Sequence, residues 1–407
     1  MLGKVKKHKI ISVHPRKSHN LSQAGQLSKI FGINFLHVTS IYFPPALIRI
    51  LKRIFPKAGF QFAKRSDASL PAANVFLVPK VEITNQVWKL KKKHVDYFEL
   101  SKIFQQDILK NVTPPEYCIS FDTSSHLIFK EWKGKSFLIL DLSTPMPQFR
   151  KKIDFGDAYK PEMLEDVNDF QKRLYEIYSQ EIELADLILC GSDFVRESVD
   201  FVKPGYGKKC RVLVYGVDVD QFSFPDRKFR RTKDLKFVFA GGRVGWLKGS
   251  DTLLNAWAQY VKLYPMAELH FFGSVNSEID TANVAPNVFF HGRVNREILI
   301  EQLKQMDVYV FPSTVEGCSP AVLEATAMQF PIVTTFNAVS VLRHEESAEI
   351  IKAKSVESLL AGMIRVTEDP DYKEKIARNA FEMSKSFTWD SYRENIKKIL
   401  EEVGCTA

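Results

Sequence analysis

The stretch "FVFAGGRVGWLKGSDTLLNAW", residues 237–257, decides the fold. It opens as an apolar strand, passes through Gly241-Gly242, carries Arg243 and Lys248, and ends as an amphipathic helical pattern. A strand that feeds a helix through glycines is the repeating unit of a parallel sheet with crossover helices. Glycines let backbone amides approach an anion closely, and two cations five residues apart at the sheet's carboxyl edge can clamp a diphosphate. The spacing is neither G-x-G-x-x-G nor G-x-x-x-x-G-K-[ST], so this is neither a dinucleotide fingerprint nor a P-loop.

The same alternation extends in both directions. Short apolar runs predict strands at 9–13, 35–40, 74–78, 117–121, 136–142, 187–190 and 211–215 in the first half. In the second half they fall at 236–241, 268–273, 288–292, 308–312, 332–335 and 348–351. None alternates cleanly, as expected of parallel strands covered on both faces. Helical patterns between them, such as 248–263 and 319–329, fit right-handed crossovers. The fold class is therefore α/β, with two doubly wound domains. The polar, charged stretch 216–235 separates them, and 370–403 is helical without further strands.

A chain of 407 residues suits two domains. Five cysteines, at 118, 190, 210, 318 and 405, form no C-x-x-C pair, which points to a reducing compartment without a structural zinc. No window holds the roughly 18 apolar residues of a membrane span, so the expected location is cytoplasmic. Charge is lopsided: residues 1–110 hold 20 Lys and Arg against 5 Asp and Glu, while the rest of the chain is net negative. Such a field draws an anionic partner to the N-terminal half.

A second stretch, "STVEGCSPAVLEATAMQFPIVTT", residues 313–335, holds two carboxylates, Glu316 among helix breakers and Glu324 inside an Ala- and Leu-rich helical run. A helix starting near Ser319 aims its free amides at the neighbourhood of Glu316. Glu316 and the amides of Gly317, Cys318, Ser319 and Pro320 can then grip a sugar, and Glu324, expected on the same face, a ribose diol. Two acids spaced for two diols beside a diphosphate clamp describe a nucleotide-sugar site. Two Asp-x-Asp matches, Asp218/Asp220 and Asp369/Asp371, lie in a linker and a polar turn and are read as chance rather than as metal ligands.

With these motifs in order, the sequence resembles the retaining glycosyltransferases of family 4, which have the two-domain GT-B fold. The resemblance rests on "GGRVGWLKG", "NVFFHGRV" (287–294), "DVYVFPS" (307–313) and Glu316 followed after seven residues by Glu324; it continues in "EIELADLILCGSDFVRESV" (181–199) and "SFTWDSYRENI" (386–396). It implies two Rossmann-like domains facing across a cleft. Residues 1–220 would bind acceptor and 221–386 the nucleotide-sugar donor, with 387–407 a helix crossing back to the first domain. It implies that Arg243 and Lys248 neutralise the departing diphosphate, that Glu324 holds the ribose, that the loop after Gly292 presents backbone to the base, and that Glu316 orients the donor sugar. No metal or other cofactor is implied beyond the nucleotide diphosphate sugar itself. The expected activity is transfer of a sugar, with retention, to a cell-surface glycan or lipid-linked acceptor; the alternatives are a soluble or protein acceptor, or a non-catalytic scaffold of a polysaccharide-assembly complex. Nucleic acid is not an expected partner, because it would leave the 236–336 constellation idle.

The N-terminal half departs from the family. "SVHPRKSHNLSQAGQLSKIFGI" (12–33) has His14 and His19 where a glycine-rich loop is usual, and His19 joins Glu316, Lys248 and Arg243 as an expected catalytic group. A histidine common in relatives after 136–142 is missing here, leaving His126 as the third acceptor-side candidate. Residues 44–65 read as a basic amphipathic helix, with Leu47, Ile48, Leu51, Ile54 and Phe55 opposed to Arg49, Lys52 and Arg53. With "WKLKKKH" (88–94), it is expected to contact an anionic membrane at its inner face.

Overall fold

The computed structural model describes residues 7–15, 20–54, 62, 65–92 and 95–407. They divide into two compact units: Met1–Cys190 with Arg196–Leu213 and Tyr392–Ala407, and Gly191–Val195 with Val214–Ser391. Where the sequence places the exchanges near 220 and 387, the chain changes unit at 213/214 and 391/392. Val217 N donates to the Phe387 carbonyl at 2.7 Å, and Gly216 packs so closely under Trp389 that a Cβ would lie 2.6 Å from its ring.

The first unit has seven parallel strands, β1 (Ile10–Val13), β2 (Phe35–Thr39), β3 (Val75–Leu77), β4 (Tyr117–Phe121), β5 (Phe137–Leu142), β6 (Leu187–Cys190) and β7 (Cys210–Val212), ordered β3-β2-β1-β4-β5-β6-β7. Every residue of β1, β2 and β6 is buried. Burial on both faces is why these strands lack alternation. The helix Trp389–Glu402 buries Tyr392, Ile396 and Leu400, which recur every four residues. Gln23 Nε2 donates to the Tyr392 hydroxyl at 2.7 Å, and Arg211 pairs with Glu402 at 2.9 Å, tying this last helix to the first unit.

The second unit has six parallel strands, β8 (Lys236–Val244), β9 (Glu268–Val275), β10 (Val288–Gly292), β11 (Val308–Phe311), β12 (Ile332–Thr335) and β13 (Glu349–Ile351), ordered β10-β9-β8-β11-β12-β13. This is the doubly wound order whose direction reverses between the first and fourth strands, where such sheets open a crevice. An aromatic core of Phe237, Phe239, Trp257, Tyr260 and Phe311 fixes β8 against β11, with Phe239 and Phe311 stacked 5.1 Å apart.

Two sequence expectations change here. The strand at 236 does not stop at the glycines: β8 runs to Val244, with a register shift between Ala240 and Arg243, and Arg243 lies opposite Ser274. A Cβ on Gly273 would sit 2.4 Å from the Gly241 carbonyl, so glycines are what let β8 and β9 stay paired through the bulge. The charged stretch before β8 is packed onto the second unit, because buried Arg227 donates to the carbonyls of Met328 (2.8 Å), Met306 (2.5 Å) and Leu303 (3.3 Å).

His37 on β2 is buried with Nδ1 2.7 Å from the Ser12 hydroxyl, and burial lowers its pKa to about 3. Between that value and its ordinary 6.5, the unfolded imidazole binds a proton that the native one refuses. This group's contribution is therefore lost as pH falls below 6.5, at about 1.4 kcal/mol per pH unit. Asp122, whose pKa burial raises to about 7, contributes the opposite slope above its ordinary 3.8. Because Asp122 is common to both proteins, urea unfolding of His37→Leu should show its stability rising relative to wild type as pH falls from 6.5 to 5, and parallel curves would contradict the neutral buried state.

Candidate functional site

The turn after β8 and the loop after β11 are built against each other. Gly249 has φ +70°, and a Cβ there would lie 2.0 Å from the Pro312 carbonyl oxygen. Only glycine allows this conformation and approach together. The Leu247 carbonyl accepts from Ser313 Oγ and from the Thr314 amide, both at 3.0 Å. On the other side, Thr335 Oγ1 donates to the Ser313 carbonyl (2.6 Å) and Asn337 Nδ2 to the Thr314 carbonyl (2.8 Å). The loop is thus held by four bonds, and it sets Glu316 directly on Lys248 as a half-buried ion pair. Arg243 is exposed, and no carboxylate among the described residues pairs with it.

Beside this pair, a cavity of about 370 Å³ opens at the carboxyl edge of β8, β9 and β10. Gly241, Gly242, Gly292, Arg296, Tyr309 and Glu324 contribute to its wall. Glu324 accepts from Arg296 Nη2 at 2.8 Å. Burial raises the pKa of Glu324, and the Arg296 charge opposes that rise. The two carboxylates therefore do not share one helical face. The helix runs Pro320–Ala327, so Glu316 lies outside it and binds a different cation.

The sugar loop also offers fewer amides than its sequence promises. The Ser319 amide is taken by the Ala338 carbonyl at 3.0 Å, and Pro320 has none, leaving those of Gly317 and Cys318. The Cys318 thiol is buried, and burial pushes its pKa up to about 12, which makes it a packing group.

On the first unit, His14 is buried at the end of β1, edge-on to Phe121 of β4 at 4.1 Å between ring centres. It sits where the strand order reverses. His19 lies outside the described residues. His126 opens the helix His126–Trp132 after β4, with Nδ1 3.3 Å from Gln105 Nε2 and 3.9 Å from Glu181. Glu181 accepts from the amides of Thr123, Ser125 and His126, so it caps the start of that helix. Three of the four aspartates in the Asp-x-Asp matches have local partners: Asp218 and Asp369 cap helices, and Asp371 pairs with Arg231 at 2.7 Å.

Sequence reasoning missed three residues. Arg296 reads as an ordinary helix-surface arginine, and Arg227 as a linker charge. Asp122, buried after β4 and accepting from the Ser143 amide and hydroxyl at 2.9 Å each, was signalled only by the polar run "DTSSH" behind a strand.

Residues 222–383 match the family model described as glycosyl transferases group 1. Over 216 residues the chain is 27% identical to an uncharacterized glycosyltransferase of Methanocaldococcus jannaschii, covering 48% of this chain and 55% of that one. It is 25% identical over 210 residues to a GDP-mannose-dependent monoacylated alpha-(1-6)-phosphatidylinositol monomannoside mannosyltransferase of Corynebacterium glutamicum, with shares of 46% and 55%. The chain thus spans about half the length of the curated relatives it matches. In fold it is similar to the sucrose-phosphate synthase from Thermosynechococcus elongatus, with a TM-score of 0.66 at 14% identity, covering 98% of this chain and 99% of that one. The fold is accordingly GT-B.

The turn that carries Lys248 generates a direct test. Gly249→Ala should cost about 1–3 kcal/mol from the left-handed backbone alone, with the Pro312 clash added. Denaturant midpoints measure it, and a midpoint equal to wild type would be incompatible with this turn.

Proposed function

We propose, from the premise that residues 222–383 form a glycosyl transferases group 1 domain, that the protein is a retaining, metal-independent glycosyltransferase of family 4 type. It takes a sugar from a nucleotide diphosphate donor bound by the second unit and passes it to a cell-surface glycan or lipid-linked acceptor bound by the first. The observation that carries the reading is the pairing of a glycine-walled cavity bearing Glu324 with the Lys248–Glu316 pair, both at the carboxyl ends of β8 and β11. The cavity suits a nucleoside, with Glu324 receiving ribose hydroxyls and the Gly292 segment backing the base. Lys248 and Arg243 supply positive charge where the leaving diphosphate gathers negative charge. Glu316, with the amides of Gly317 and Cys318, orients the sugar. Preorganised charge of this kind lowers the barrier without any reorganisation at the moment of transfer. His14, His19 and His126 are the acceptor-side candidates.

A lipid-linked acceptor fits the surface of the first unit and the phosphatidylinositol monomannoside in the name of the Corynebacterium relative. The helix Pro45–Ile54 exposes Leu47, Ile50 and Ile54 beside Arg49 and Arg53. The helix Lys80–Leu90 exposes Ile83, Val87 and Leu90 beside Lys80, Lys89, Lys91 and Lys92. Aliphatic side chains framed by cations suit the headgroup region of an anionic bilayer, which supports the reading of a protein that works at the inner face of the membrane. No helix among the described residues is long and apolar enough to cross it.

Incubation with nucleotide diphosphate sugars, selected by thermal shift, should release nucleoside diphosphate. Lys248→Ala should slow that release by roughly 2–4 kcal/mol in transition-state stabilisation. Glu316→Gln, which frees Lys248, should bind nucleoside diphosphate more tightly yet transfer more slowly. A non-catalytic scaffold would release none, and an unchanged rate in Lys248→Ala would remove the clamp assignment.

Arg49→Ser with Arg53→Ser should weaken binding to phosphatidylglycerol vesicles by about 2 kcal/mol, at about 1 kcal/mol per cation. Equal co-sedimentation of variant and wild type would end the membrane assignment.

A further inference from the structure

A cation at the first position of a helix opposes the helix dipole, and Arg296 is the first residue of the helix Arg296–Leu303. Capping does not account for it, because Asn295 already serves the amide of Ile298 at 2.9 Å. Its guanidinium instead lies over the ring of buried Phe222, 4.5 Å from the centroid, and donates one N–H to Glu324 Oε1. The aromatic face restrains the guanidinium, although 47% of the side chain stays exposed. The guanidinium holds one carboxylate oxygen in place. The other oxygen of Glu324 has no partner among the described residues, and the carboxylate stands on the cavity wall.

We infer that Arg296 is the positioning residue of the nucleotide site: it pins Glu324 by one oxygen at the cavity wall and leaves the second oxygen for the hydroxyl pair of the donor's ribose. The inference rests on the donor reading above and adds the group that makes Glu324 competent. A protonated carboxyl accepts a vicinal diol poorly, since one oxygen then carries its own hydrogen. The groups that face Glu324 divide by sign. Arg296 favours its ionised form; burial and the negative charge of Asp218, at the cap of Val219–Phe222, favour the protonated one. The phenol of Tyr309 on β11 stands near it and is itself committed to the Ala240 carbonyl at 2.5 Å. Removing Arg296 leaves only influences that raise the proton affinity of Glu324.

The test is the affinity of the intact chain for nucleoside diphosphate (UDP, GDP and ADP each tried) by calorimetry from pH 5 to 8. Wild type should lose affinity as pH falls through the Glu324 titration. Arg296→Gln should weaken binding at least tenfold at pH 6 and move the midpoint of that loss to higher pH. Arg296→Lys should recover part of both effects. Glu324→Gln should bind weakly and keep only the pH dependence of the ligand's own terminal phosphate, which titrates at about pH 6 in every variant. A purely structural arginine would lower affinity equally at every pH, so an Arg296→Gln curve parallel to wild type overturns the inference alone. A wild type that binds none of the three at any pH overturns the donor reading, and this inference with it.

Discussion

Three main-chain carbonyls, from Leu303, Met306 and Met328, converge on the single buried guanidinium of Arg227. Helices leave their last carbonyls without intrahelical partners, and their negative ends favour a cation. Arg227 meets the ends of Arg296–Leu303 and Pro320–Ala327 at once, and stacks 3.6 Å over Phe330. Burial lowers its pKa to about 10, so the charge survives at neutral pH. The consequence lies at the opposite end of one helix and midway along the other. Arg296 and Glu324 meet at the cavity because the helices that carry them are fixed from behind by one planar fork, which a lysine's single ammonium would not reproduce.

A second constraint is steric. Gly249 brings the turn after β8 within contact of Pro312, and Leu247 then receives two bonds from the loop after β11. Lys248 and Glu316 are thereby neighbours through backbone geometry, not through attraction alone. A half-buried charge without a counterion carries a desolvation cost, and each site carboxylate has its cation: Glu316 has Lys248, and Glu324 has Arg296. The pairs compensate the charges that the proposed chemistry needs.

Sequence patterns foretold the skeleton better than the site. Strands such as "LILC" and "IVTT" were legible because a parallel strand is apolar on both faces, and both lie where expected. The continuation of β8 through Gly-Gly-Arg was not legible, since a bulge that keeps a strand paired looks like a loop in one dimension. Glu316 and Glu324 stood out by spacing, yet their separation into two ion pairs depends on Lys248 and Arg296, which arrive from other elements. Arg227 was hidden for the same reason: its partners are carbonyls, which have no residue-type signature. The amide of Ser319 was counted as free because the chain that occupies it, at Ala338, lies nineteen residues further on.

The Lys248–Glu316 pair also bears on the order of events in the proposed reaction. While the pair is closed, the carboxylate meant for sugar hydroxyls is engaged, and a free sugar meets an occupied acceptor. A diphosphate offers Lys248 another anion, exchanging one charge-assisted bond for a similar one, so little net attraction comes from that exchange. Arg243, which has no carboxylate partner among the described residues, would supply the uncompensated pull. In that proposal, once a diphosphate held Lys248, Glu316 would be released toward the sugar attached to it. Orientation of the sugar would then depend on seating of its own leaving group, so that binding energy from the nucleotide end would be used at the reacting carbon. A nucleoside diphosphate alone would seat without that reward, and a monosaccharide alone would not seat at all.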